Sequence, residues 1–465
     1  MVSGPGPQGI RRHERGRRWV GAGGASATAR IDGGASIAEV AGPQTLRTNL
    51  TTPADQMTEI APDFLSCGMQ HLYREDTFPE GLERYEELSR KRTAAEFISK
   101  LYPSYRYRRP VDLDDLHCGS TFASLLEGNR RATNGGKAGA AAALFRFERA
   151  IVRDRVIHVP NGEGWSVVYE TFRPCDRHNS EVATEEQLAN AVPGAEGDEP
   201  IFFLGSTGCF NYGHWLSDDL SRLSAFWKIR DRHPDGHIRV VITAHGGVID
   251  EVRKQSIEFL LGSDRKFSVG LFPRPSACEF RDLYYASPTT YPGTLKSPLA
   301  MADLHIAGLA ALAEQTPAAA VDYALADARR GRRLFINRDP SRSRGLLNGA
   351  EIFAALQPLG FEHHTMENAT FAEQVSLFSG AGIVVGNMGA GMVNTVFCRP
   401  GTPMLYLAPE GWDDGFYWDL ATVMRHRHAA FYGPPASADF NAGYTADPEA
   451  VRALTERMLG GAELR

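Results

Sequence analysis

The chain has 465 residues, 43% of them hydrophobic and 23% charged, with a net charge of −6. That is long enough for two domains with their own cores, the balance is that of a soluble globular protein, and the mild acidity excludes a general attraction to nucleic acid or anionic membrane. Cys67, Cys118, Cys175, Cys209, Cys278 and Cys398 are scattered, without a CxxC pair or a Cys/His cluster at zinc spacing, and no apolar run reaches spanning length; free thiols in a reducing cytoplasm, no bound metal and no membrane span are expected.

Residues 1–56 are rich in Gly, Ala, Ser and Arg, with Arg11, Arg12, Arg15, Arg17 and Arg18 close together. Such a stretch buries too little surface to offset the cost of ordering, so it is expected to be disordered; it also has features of a transit leader, or of an untranslated lead-in before Met57. Over 81–101 the spacing of Leu82, Tyr85, Leu88, Phe97 and Leu101 predicts a helix, closed by an aromatic and arginine-rich connector at 102–110. Residues 129–143 read as a loop and 144–172 as β-rich, with a hairpin turn at Asn161-Gly162. The acidic stretch 181–200 reads as a surface excursion.

A buried-type strand at 201–204 and the turn Gly205-Ser-Thr-Gly208 lead into a helix over 211–229. Projected at about 100° per residue, Asn211, His214, Asp218 and Arg222 share one face, and Leu216, Leu220, Leu223 and Trp227 the opposite one. The polar stripe is either a solvated face or the reactive side of a cleft, with His214 and Asp218 as the groups of interest. Strands at 238–243 and 283–286 and a helix at 249–261 complete one α/β unit. An alanine-rich helical stretch over 299–328, broken at Pro317, joins it to a second.

In that second unit a strand at 334–336 opens a loop with Arg338, Arg342 and Arg344, and Asn348 with Glu351 is spaced as a helix capping box, as is Thr370 with Glu373. A buried-type strand at 382–386 runs into Gly386-Asn-Met-Gly389-Ala390-Gly391, which opens a helix reaching about Cys398; a strand at 404–407 and a helical stretch at 412–425 follow. The alternation predicts consecutive βαβ units in a doubly wound parallel sheet. Small residues at a strand's carboxyl end let a phosphate approach backbone N–H groups, and guanidinium groups fork onto phosphate oxygens. Arg338, Arg344 and the glycine turn are therefore candidates for a shared diphosphate site, although the turn alone is compatible with a tight bend and the loop with a solvated surface. The glycine order differs from the dinucleotide G-x-G-x-x-G, which counts against an NAD-dependent oxidoreductase. His363, His364, His426 and His428 read as surface residues rather than metal ligands.

In this order, NYGHWLSDDLSRL from Asn211, LFINRDPSRSRGLLN from Leu334, and the segment from Gly389-Ala390-Gly391 through Asn394 to Arg399-Pro400-Gly401 resemble family 61 glycosyltransferases over roughly residues 200–410. Lacking an anchor, the chain looks more like the bacterial branch, which works in capsular polysaccharide biosynthesis. The resemblance implies two facing Rossmann-like domains of the GT-B type and metal-independent, inverting transfer from a nucleoside-diphosphate sugar to a hydroxyl of a glycan, lipid-linked or protein acceptor, with no further cofactor. The expected division is a disordered or mis-assigned 1–56, an acceptor-side domain over 57–312, a nucleotide-sugar domain over 313–430 and a tail over 431–465. His214 is the candidate base with Asp218 to orient or replace it; Arg338, Arg344, Gly389, Ala390, Gly391, Met388 and Asn394 are the candidate donor contacts, Asn394 also open to a purely structural role. The family carries His immediately before Gly-Ala-Gly where this chain has Met388. Either the chemistry rests on His214 and Asp218, with Met388 lining an altered sugar pocket, or the protein mainly binds, as a non-catalytic member of a polysaccharide assembly.

Overall fold

The computed structural model of the chain describes residues 64–65, 95–105, 116–117, 141–162, 164–172, 182–290, 296–327, 330–412 and 414–463. The expectations for 1–56, for 81–94, for most of the 102–110 connector and for nearly all of the 129–143 loop lie outside these residues.

The described chain opens with β1 (Phe64–Leu65), β2 (Ala95–Tyr102) and β3 (Leu116–His117). It continues through β4 (Ala142–Arg153), β5 (Val156–Asn161), β6 (Gly164–Val168), β7 (Val192–Pro193), β8 (Ile201–Phe203), β9 (Ile238–Ala244), β10 (Phe267–Pro273) and β11 (Ala277–Ala286). Except for β3 these form a mixed ten-stranded sheet in the order β1-β6-β5-β4-β11-β8-β9-β10, with β2 also on β4 and β7 on β11. Only the β11-β8-β9-β10 part, with β7, and the β1–β6 edge are parallel. The Asn161-Gly162 turn forms the expected β5–β6 hairpin, with Gly162 at φ 60°.

The helix expected up to residue 101 is corrected: 95–102 are strand β2, antiparallel to β4 with Phe97 opposite Phe145. Phe97 and Leu101 are spaced for one helix face, but pairing to a buried neighbour decides the conformation, as tertiary context commonly does for a short segment.

The second sheet consists of β12 (Arg332–Asn337), β13 (Phe361–Thr365), β14 (Ala381–Asn387), β15 (Pro403–Pro409) and β16 (Arg427–Gly433), with β3 at its edge, in the order β13-β12-β14-β15-β16-β3. Every pairing in it is parallel. Every residue of β14 and β15 is buried, whereas edge strand β13 alternates, as expected when helices cover both faces of the central strands only.

Besides two short helices at Tyr169–Phe172 and Glu185–Ala189, the described residues form α1 (Tyr212–His214), α2 (Ala225–Arg232), α3 (Val248–Leu261), α4 (Pro298–Gln315), α5 (Pro317–Leu325), α6 (Gly349–Leu356), α7 (Phe371–Ser379), α8 (Phe416–Val423) and α9 (Pro448–Glu463). The largest core runs without interruption from Phe202 and Trp215 through Leu304 in α4 to Leu334, Val384 and Phe397. The chain is thus α/β, but only its second sheet has the all-parallel Rossmann-like form expected of both. The boundary drawn at 312/313 falls inside α4, which packs on α7 and on the segment after β14. Within the expected tail, α9 buries Val451, Leu454 and Met458 in the second sheet's own core.

Candidate active site

Taken in the order the chain makes them, β12 to β16 lie 2-1-3-4-5 in space. The order reverses between β12 and β14, and ligands of such sheets bind beyond the carboxyl ends at the reversal. Both diphosphate candidates fall there, Arg338 just past β12 and Met388 to Gly391 just past β14. They touch: a Cβ on Gly389 would lie 2.9 Å from Arg338 Nη1, and one on Gly391 3.0 Å from Met366 Cγ. Directly behind them a 3-10 helix, Ala390–Phe397, begins with no side-chain cap, so its first N–H groups have no intrahelical acceptor. Arg338 is half-buried yet makes no hydrogen bond or ion pair among the described residues. Burial lowers its pKa from the ordinary arginine value, against the opposing pull of Tyr417 and Glu367.

The other donor candidates sit differently. Arg344 turns away from the glycines: its guanidinium carbon lies 3.7 Å over the Trp412 ring and its Nη1 donates to Asn441 Oδ1 at 3.1 Å. Met388 is buried in the main core, its N–H donating to Leu407 O at 2.7 Å. Asn394 is buried, accepting from the Tyr212 hydroxyl at 2.7 Å and donating to Gln374 Oε1 at 2.6 Å and to Gly391 O at 3.1 Å.

The first sheet has a reversal of its own, since the chain passes from β8 through β9 and β10 on one side to β11 on the other. The segment bearing His214 packs at that edge. It is not the continuous α-helix expected: α1 gives way to a π turn over Trp215–Asp219 and a 3-10 turn over Leu220–Arg222 before α2. Wider i→i+5 turns break the 100° projection, which is why Arg222 is fully buried, bonded to Asp219 and the carbonyls of Ala286 and Gly205, and why Trp227 is exposed. Ser217 O accepts from Thr290 Oγ1 at 3.2 Å, and Ser221 bonds Thr289, pinning the π turn to the residues after β11.

His214 and Asp218 nevertheless meet, Nδ1 to Oδ2 at 2.9 Å, and Ser217 Oγ donates to the other carboxylate oxygen at 2.7 Å. The His214 side chain remains 44% exposed and Asp218 is buried. Burial lowers the His214 pKa, but the Asp218 hydrogen bond and charge outweigh it, with Lys296 opposing and Asp414 assisting, so the net displacement is upward. Gly208 allows the approach from below, since a Cβ there would meet His214 Cβ at 2.8 Å.

The two edges are joined. Gly213 packs on Ala390 and Val393, and Phe416 at the start of α8 lies edge-on to His214 with ring centroids 5.8 Å apart, while Tyr417, the next residue, acts electrostatically on Arg338. Residues 212–405, from the base candidate through the glycine turn, match the sequence model of the Glycosyltransferase 61 family. Residues 212–405 carry a glycosyltransferase 61 domain. No curated protein matches the chain.

Part of the candidate site was not anticipated. Lys296 and Asp419 form a fully buried ion pair of 3.4 Å beside His214, with the Lys296 ammonium 3.6 Å over the Phe416 ring and donating to Phe416 O at 3.1 Å. Its members stand 123 positions apart, without a motif around either, and Phe416, Tyr417 and Asp419 lie beyond the matched stretch. Asn348 is corrected as a cap: it bonds Ala446 O and N at 2.8 and 3.1 Å instead. Thr370 and Glu373 form the full box. His426, expected at the surface, is buried, and burial pushes its pKa down to about 3. Among the described residues no three His, Cys, Asp or Glu side chains gather as a metal site, and no helix is long and apolar enough to cross a membrane.

Proposed function

We propose that this glycosyltransferase is an inverting, metal-independent enzyme that moves a sugar from a nucleoside-diphosphate donor to a hydroxyl acceptor, in cytoplasmic synthesis of a capsule-type polysaccharide or related glycan. With Nδ1 held by Asp218, His214 Nε2 takes the acceptor's proton as the hydroxyl oxygen bonds to the anomeric carbon. The bond from that carbon to the diphosphate breaks on the opposite face. The departing charge is met by Arg338 and by the backbone N–H groups around Gly389, Ala390 and Gly391. Asn394 holds the glycine turn against Tyr212, and Met388 supports it from the core.

The observation that supports this reading best is that a half-exposed imidazole with a buried carboxylate partner lies edge-on to Phe416, while the next residue, Tyr417, acts electrostatically on a half-buried arginine that has no ion pair among the described residues. The test is release of nucleoside diphosphate from a panel of nucleotide sugars, with and without simple glycoside acceptors and with a chelator present. Chelator-resistant release from at least one donor is expected. Tight binding across the panel without turnover would make the protein a carrier or scaffold, and turnover abolished by the chelator would remove the assignment of the diphosphate charge to Arg338 alone.

A further inference from the structure

We propose that Trp412 and Phe440, with Arg344 stacked against them, form the platform that takes the nucleobase of the donor; this rests on reading the Arg338 crevice as its diphosphate site. Three loops, following β12, β15 and β16, converge there. Arg344 comes from the first, Trp412 from the second and Phe440 from the third. The Arg344 guanidinium carbon lies 3.7 Å from the Trp412 ring centroid and 5.8 Å from that of Phe440, and the two rings are 5.0 Å apart and tilted by 41°. Phe440 is 58% exposed.

The arrangement is held deliberately. Arg344 adopts φ 56°, a conformation that costs a residue with a Cβ and persists only where its surroundings fix it. Its N–H donates to Asn441 O at 2.9 Å and its Nη1 to Asn441 Oδ1, which also accepts from Ser343 Oγ at 2.7 Å. Its carbonyl accepts from Asn387 Nδ2 at 3.2 Å, tying the loop to the end of β14. The face of the guanidinium is therefore spent on an aromatic ring, the geometry of a stacking layer rather than of a phosphate fork.

Position and chemistry select a base as occupant. Gly389 follows β14, and β15 and β16 lie one and two strands further along the same carboxyl edge. Two strand spacings are roughly 10 Å, a span a ribose bridges between a diphosphate and its base. A cation stacked on the Trp412 ring draws its π density, which weakens a purely C–H contact to a sugar but suits a planar, carbonyl-bearing heterocycle. Base–aromatic stacking is worth enough that truncating one ring weakens binding roughly 5- to 100-fold.

Calorimetry on the full chain tests this with two probes, inorganic pyrophosphate and whichever of uridine, guanosine, cytidine or adenosine diphosphate binds the wild type best. Trp412→Ala and Phe440→Ala are expected to weaken the nucleoside diphosphate by about tenfold or more and to leave pyrophosphate unchanged, while Trp412→Phe keeps most of the affinity. Undiminished nucleoside diphosphate binding in both alanine variants overturns the platform and leaves the donor reading standing. Equal loss of both probes, in a variant whose melting temperature is unchanged, also overturns it, because the residues would then act on the diphosphate cradle. A wild type that binds neither nucleoside diphosphate nor pyrophosphate removes the donor reading and the platform with it.

Discussion

The two carboxyl edges present their charge in opposite ways. At the first sheet the candidate base is tied down: His214 is fixed by Asp218, Asp218 by Ser217, and the π turn beneath them by Thr290 and Ser221. At the second, the Arg338 guanidinium lies against Gly389 without an ion pair among the described residues, beside the uncapped start of a 3-10 helix. A general base is useful only if its lone pair points where the proton will be, so its other nitrogen must be engaged. A charge that receives a ligand is useful only if its donors are not already taken. Fixed and unpaired are thus two solutions to two tasks, and changing one residue at each edge asks whether the tasks divide as this contrast says.

The largest effect is expected at the fixed edge. His214→Ala should lower the transfer rate by about 10²- to 10⁴-fold while nucleoside diphosphate affinity stays within about twofold. Single-turnover rates beside calorimetry separate the two readouts. A parallel loss of rate and affinity would put His214 on the donor side and erase the division.

At the unpaired edge the loss should appear in binding. Arg338→Ala removes charge-assisted hydrogen bonds worth about 1.5–3 kcal/mol, so affinity for a nucleoside diphosphate should fall by roughly tenfold to a hundredfold. Because the side chain has no ion pair among the described residues to leave behind, the melting temperature should change little. A strongly destabilised variant with normal nucleotide affinity would make Arg338 a structural residue.

The same contrast governs what was legible in the sequence. The second edge could be read because its signals are local: the continuous apolar run of β14, the glycines just after it and an arginine just after β12 each lie within a few residues of the strand that positions them. The pairing of His214 with Asp218 was legible for the same reason, being one turn apart. What failed needed distant partners or an irregular turn. The strand at 95–102 is set by β4, the Lys296–Asp419 pair by a contact across 123 positions, and the bonding of Asn348 by Ala446, 98 positions on. Arg222 was placed on the polar face because a regular helix was assumed, and the π turn rotates it into the core.

The smallest expected effect lies in how the fixed edge is tuned. Asp218→Asn keeps a hydrogen-bond acceptor beside His214 Nδ1 but removes the carboxylate charge, which with its hydrogen bond is what overcomes the lowering by burial. The His214 pKa should then fall. With the neutral ring as the proposed base, the acid limb of the rate profile should move to lower pH in the variant, with a much smaller change on the plateau than His214→Ala produces. Stability moves with the opposite sense of pH. A histidine whose folded pKa is raised contributes stability that is fully present below its unfolded pKa and is lost as pH rises through the folded value. Asp218→Asn should therefore destabilise most in mild acid and progressively less towards alkaline pH. Melting temperatures measured across the histidine range, alongside kcat/KM against pH, check both limbs. An acid limb that stays in place would mean that Asp218 orients the ring without setting its proton affinity, and a destabilisation that grows with pH would mean that the carboxylate is held by a partner other than His214.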